Sequence, residues 1–156
     1  DTTTGVTLSS TATSTANINH IPDVTVSATQ TLTFTATHVR QGTDRLRIGS
    51  GDGLGNSNEC IFDSNNDTII SVKTVAAATT TSTTIATADT PNATSKTFGI
   101  LRNGATNVVF QTSGVTVATH TTNLPTGSER LQALTDTSAT AGTRTANIQS
   151  YTITTT

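Results

Sequence analysis

The sequence predicts an all-β protein, an antiparallel β-sandwich with an extended N-terminal arm. Three observations carry this. Threonine supplies 41 of the 156 residues, and its branched Cβ and hydroxyl suit a pleated, half-buried surface. Several segments alternate apolar and polar residues at period two, the pattern of a strand with one covered face. Turn signals recur at roughly the 8–12-residue spacing of sandwiches and barrels, with no helical pattern between them. Composition removes the rivals. Met and Trp are absent and Glu and Lys are scarce, so a helix bundle has no material. No apolar run approaches the ~18 residues of a membrane-crossing helix. A net charge of −2 with eight Lys plus Arg argues against nucleic acid as a partner. A single Cys60 permits no internal disulfide.

Taken in order, residues 1–22 (DTTTGVTLSSTATSTANINHIP) are small and polar with little alternation, and read as an extended arm or linker. One sandwich domain is expected over residues 23–156. Residues 31–39 (TLTFTATHV) set Leu32, Phe34 and Ala36 on one face and threonines on the other. Leu46 and Ile48 share one face, with Arg45 and Arg47 opposite; residues 49–59 (GSGDGLGNSNE) form a glycine-rich loop. Residues 60–63 and 68–75 read as strands around an SNND turn. Residues 76–96 read either as a long Thr strand around Ile85 or as a loop. Residues 97–101 and 107–111 form a hairpin through Asn103-Gly104, a turn that favours positive φ. A second tight turn at residues 112–114 needs Gly114 for the same reason, and Val115 and Val117 are expected to cover the core. Pro125 ends pairing where the chain crosses between sheets. Short strands at residues 131–135 and 146–154 close the sequence.

The stretch from residue 97 to 154 resembles a jelly-roll module of tailed-phage virion proteins, of the concanavalin-like, laminin-G-like group. The resemblance rests on Val109-Phe110, Gly114-Val115, Val117-Ala118-Thr119-His120, Asn123-Leu124-Pro125 and the terminal strand through Tyr151-Thr152-Ile153. Ser113 stands where that pattern often has Asp. The resemblance implies a sandwich and a virion context, a decoration, tail or fibre protein.

The chemistry-bearing residues form few constellations. Asp52, Asn56, Asn58, Glu59, Asp63 and Asp67 cluster hard oxygen donors around the glycine-rich loop, the ligand type that Ca²⁺ takes. The same residues are also what turns are made of. No other cofactor is expected. Cys60 beside Ile61-Phe62 reads as core, with His20, His38 and His120 as nominal partners for a nucleophile. Glu59 and Glu129, the two glutamates, show no alternating pattern of paired carboxylates, so a glycosidase is not expected. Sugar sites commonly stack on an exposed aromatic, and Tyr151 is expected in the core or at an interface. Arg45 and Arg47 read as a solvated strand face.

These readings give a non-enzymatic, structural virion protein, a capsid decoration (cement) protein on the particle surface. It would contact the major capsid protein or other virion subunits as a trimer, with no nucleic-acid or membrane partner. The alternative is a carbohydrate- or receptor-binding module of tail-fibre or adhesin type, with a loop-lined glycan site around residues 49–67.

Overall fold

The computed structural model describes residues 2–10, 17–39, 45–52, 57–66, 69–86, 95–136 and 144–155. Two six-stranded antiparallel sheets face each other as a sandwich. The first runs in the order β1 (Thr2–Ser10), β12 (Arg144–Thr155), β3 (Gln30–Val39), β8 (Lys96–Arg102), β9 (Val108–Thr112) and β10 (Val115–His120). The second runs β2 (Asn17–Val26), β11 (Glu129–Asp136), β4 (Arg45–Gly51), β5 (Asn58–Asn66), β6 (Ile69–Ala76) and β7 (Thr79–Ile85). The all-β jelly-roll expectation is the observed architecture. The N-terminal stretch set apart as an arm supplies an edge strand to each sheet. β1 pairs with β12 and β2 with β11, so the boundary drawn after residue 22 falls inside β2.

Period-two patterning builds the core. Leu32, Phe34 and Ala36 of β3 are buried while Thr31, Thr33 and Thr35 are partly exposed on the other parity. From the second sheet come Ile48, Cys60, Phe62, Val72 and Leu131. The four phenylalanines join in one aromatic cluster: Phe62 meets Phe34, Phe98 and Phe110 edge-on with centroids 5.0–6.0 Å apart. Such geometry adds to area burial by aligning ring edges with ring faces. Tyr151 is core, 3% exposed.

The Asn103-Gly104 and Ser113-Gly114 turns take the expected left-handed backbone, with Gly104 at φ 60° and Gly114 at φ 80°. Residues 79–85 are a strand, and its turn is unusual: Ala77 and Ala78 both have positive φ, 48° and 64°. That conformation is strained for a residue with a Cβ. Backbone hydrogen bonds hold it: Ala78 N donates to Ser57 O at 3.1 Å, and Ala77 N to Asn58 Oδ1 at 3.4 Å.

Val115 departs from expectation. It is 67% exposed, while Val117 packs against the core. The register of β10 against β9 shifts between Thr116 and Ala118, and a one-residue slip exchanges the faces of the strand. The strand ends in buried His120, which ties the two sheets together. Thr74 of β6 gives its hydroxyl proton to Thr122 O, so its oxygen accepts from His120 Nδ1 at 3.0 Å. Nε2 then accepts from Thr83 of β7 at 2.9 Å. Burial holds His120 below its ordinary 6.5, in keeping with a neutral ring.

Candidate functional site on the outer face of the second sheet

On β5, Cys60 and Phe62 point into the sandwich, which turns Glu59, Ile61 and Asp63 to the outer face. Cross-strand register gathers the partners. Arg47 of β4 lies opposite Asp63, Lys73 of β6 opposite Ile61, and Val75 opposite Glu59. These residues line a pocket of about 250 Å³, completed by Ala78 and Thr80. The strained Ala77-Ala78 turn therefore forms part of its wall, and strain of this kind collects at functional sites.

Two carboxylates and two cations meet here. Lys73 Nζ donates to Asp63 Oδ2 at 2.5 Å, and Arg47 Nε lies 3.7 Å from the same oxygen. Arg47 Nε is buried and makes no hydrogen bond. Glu59 Oε1 accepts from Gln132 Nε2 of β11 at 3.3 Å. Gly51 leaves room for that amide, since a Cβ there would overlap the Gln132 side chain. Burial raises the Glu59 carboxyl above its ordinary 4.5, against the pull of Arg47 and the Gln132 hydrogen bond. A carboxyl in this position is suited to hold or release a proton.

A second charged cluster lies between the sheets. Arg102, fully buried, donates to the carbonyls of Val26, Pro125 and Gly127 at 2.7–3.0 Å. It pairs with Glu129 at 3.3 Å. Ser50 donates to the other oxygen of Glu129 at 2.7 Å. Burial raises the Glu129 carboxyl, opposed by Arg102 and Ser50. Burial pushes the neighbouring Cys60 thiol up, out of the range in which a thiolate nucleophile forms.

Two of the sequence-predicted ligands meet each other. Asp52 accepts from Asn58 N at 3.3 Å and from Asn58 Nδ2 at 3.0 Å, fastening the two ends of the glycine-rich loop. Asp63 faces the pocket. Asn56 and Asp67 lie outside the described residues. Among the described residues no three His, Cys, Asp or Glu side chains group as metal ligands. Arg47, read as a solvated strand residue, is mostly buried in the pocket wall. Lys73, Thr80 and the pairing of Glu59 with Asp63 were missed. The signal for the last was present: residues 59, 61 and 63 share one parity once Cys60 and Phe62 are placed inside.

No protein-family model and no curated protein sequence matches the chain. Solved structures do. A Bacillus licheniformis β-glucanase aligns over 93% of this chain and 76% of its own, at a TM-score of 0.74 and 10% identity. The Caenorhabditis elegans galectin LEC-6 aligns over 94% and 95%, at 0.59 and 11%. A native glycosidic hydrolase aligns over 78% of this chain, at 0.63 and 9%, and the chain spans 62% of that hydrolase. At these identities the likeness is one of fold, the concanavalin-like jelly roll. It lends no support to a phage virion context. The expectation of a non-enzyme is corrected: most of these similar structures are glycoside hydrolases or transglycosylases.

Proposed function

We propose that the chain recognises a carbohydrate in the pocket on the outer face of the second sheet. One observation carries this reading: four adjacent strands place Arg47, Glu59, Asp63, Lys73 and Thr80 around one cavity. Carboxylates and guanidinium groups bind adjacent sugar hydroxyls two at a time, as acceptors and donors. The pocket lining holds no aromatic ring, so hydrogen bonds supply recognition in place of ring stacking. The β-glucanase and galectin likenesses support the reading at the level of fold. Calorimetric titration with a panel of neutral and acidic oligosaccharides tests it. Binding is expected to be lost in Asp63→Asn, with the circular dichroism of the parent retained. Equal binding by parent and variant would overturn the site.

A second reading, cleavage or transfer of the bound glycan, is favoured by Glu59 and Asp63 lying four residues apart on one face. Their Cα atoms are then about 13 Å apart along the strand, and side chains leaning together bring the carboxyls closer. Burial raises the Glu59 carboxyl, the direction that suits a general acid, beside a cation-held carboxylate. Reducing-end release from oligosaccharides measures it. Glu59→Gln is expected to abolish release while binding persists; unchanged release would remove the pair from catalysis.

A further inference from the structure

We propose that the glycan held by this pocket is acidic, with a uronate-type sugar carboxylate taken between Arg47 and Lys73. The inference rests on the carbohydrate-binding reading and narrows its ligand class. Three observations on the outer face point to an anion. Arg47 lines the pocket and its buried Nε makes no hydrogen bond, although an arginine fork is a strong and directional donor. The carboxylate that faces it, Asp63, lies at 3.7 Å, beyond hydrogen-bond distance, and its Oδ2 already receives Lys73. The other carboxylate, Glu59, directs Oε1 to the Gln132 amide. The acceptors present therefore leave the Arg47 guanidinium short of partners. An ammonium also carries three donors, and Asp63 Oδ2 takes one from Lys73.

The cross-strand register makes the two cations usable together. Arg47 and Lys73 stand on the strands flanking β5, one residue pair apart along it, with Ile61 buried between them. A planar carboxylate entering the pocket would accept from the Arg47 guanidinium on one side and from Lys73 Nζ on the other.

The test is a matched pair of oligosaccharides, one neutral gluco-oligosaccharide and the same chain with its C6 positions oxidised to uronates, titrated calorimetrically against the full chain. The acidic form is expected to bind about tenfold or more tightly. Arg47→Gln should remove that preference, so that the variant binds the acidic and the neutral sugar equally. Lys73→Met serves as the second variant and should narrow the preference. Equal binding of the two sugars would overturn the acidic assignment and leave the carbohydrate reading standing. Binding of neither would overturn both. A preference that survives both variants would place the anion elsewhere and overturn the assignment.

Discussion

Two charged clusters of this sandwich each contain an arginine and a glutamate, and they are built differently. Arg102 between the sheets is anchored to main chain, with three carbonyl acceptors from β2 and the crossing segment around Pro125. Glu129 is held by that arginine and by Ser50. On the outer face, Arg47, Asp63, Lys73 and Glu59 are partnered by other side chains around an open cavity. Backbone partners cannot leave without unfolding the strands that carry them, whereas side-chain partners can rotate towards a ligand. One cluster is tied to the fold, and the other is held by groups that can move.

The sharpest way to break this contrast is to remove one arginine from inside. Arg102→Met leaves Glu129 buried without its cation and three carbonyls without their donor, and should destabilise the domain by about 3–5 kcal/mol. Urea denaturation measures it, and a loss as small as a surface mutation gives would mean the interior cluster is not sealed. Next is the strain beside the pocket. Replacing Ala77-Ala78 by Asn-Gly suits the positive φ at both positions, so this double change should stabilise by about 1 kcal/mol. Unchanged or lower stability would show that the turn is not strained as its dihedrals indicate. Lys73→Met on the outer face should cost less than Arg102→Met, since Lys73 is partly exposed and Arg47 stays beside the buried Asp63 carboxylate. A cost equal to that of Arg102→Met would erase the distinction between the clusters.

The smallest effect appears only on acidification. His120 has a lowered pKa, so the unfolded chain takes up a proton that the folded chain resists. Its contribution is intact above the ordinary 6.5 and is lost as pH falls below it. Glu59 and Glu129 have raised pKa values, and their contribution runs the other way, improving as pH falls towards 4.5. Comparing parent with His120→Gln separates the two trends. The stability advantage of the parent should shrink between pH 7 and pH 5, and a constant advantage would show that His120 does not titrate on unfolding.

Much of the fold was legible because strand patterning is local. The alternation of residues 31–36 and the Asn103-Gly104 turn each state their geometry within a few residues. The Ala77-Ala78 turn was not legible, because no residue there favours positive φ; contacts from Ser57 and Asn58 impose it. Val115 was misplaced because a register shift is a property of two strands, not of one. The site was half legible. Glu59, Asp63 and Arg47 were singled out for other roles, but their meeting depends on the register between β4, β5 and β6. Lys73 carried no motif at all.

The pairing of β1 with β12 has a consequence for synthesis. Thr2 stands opposite Thr152, so among the described strands β1 acquires its one neighbour in the sheet when β12 has been made. At roughly 5–20 residues per second, that interval is about 8–30 seconds on the ribosome. β3 waits likewise for β12 on one side. Contacts this distant in sequence make folding slow. A nascent chain would expose unpaired strands throughout the wait, and the scarcity of long apolar runs in its threonine-rich first segment limits what those strands can capture.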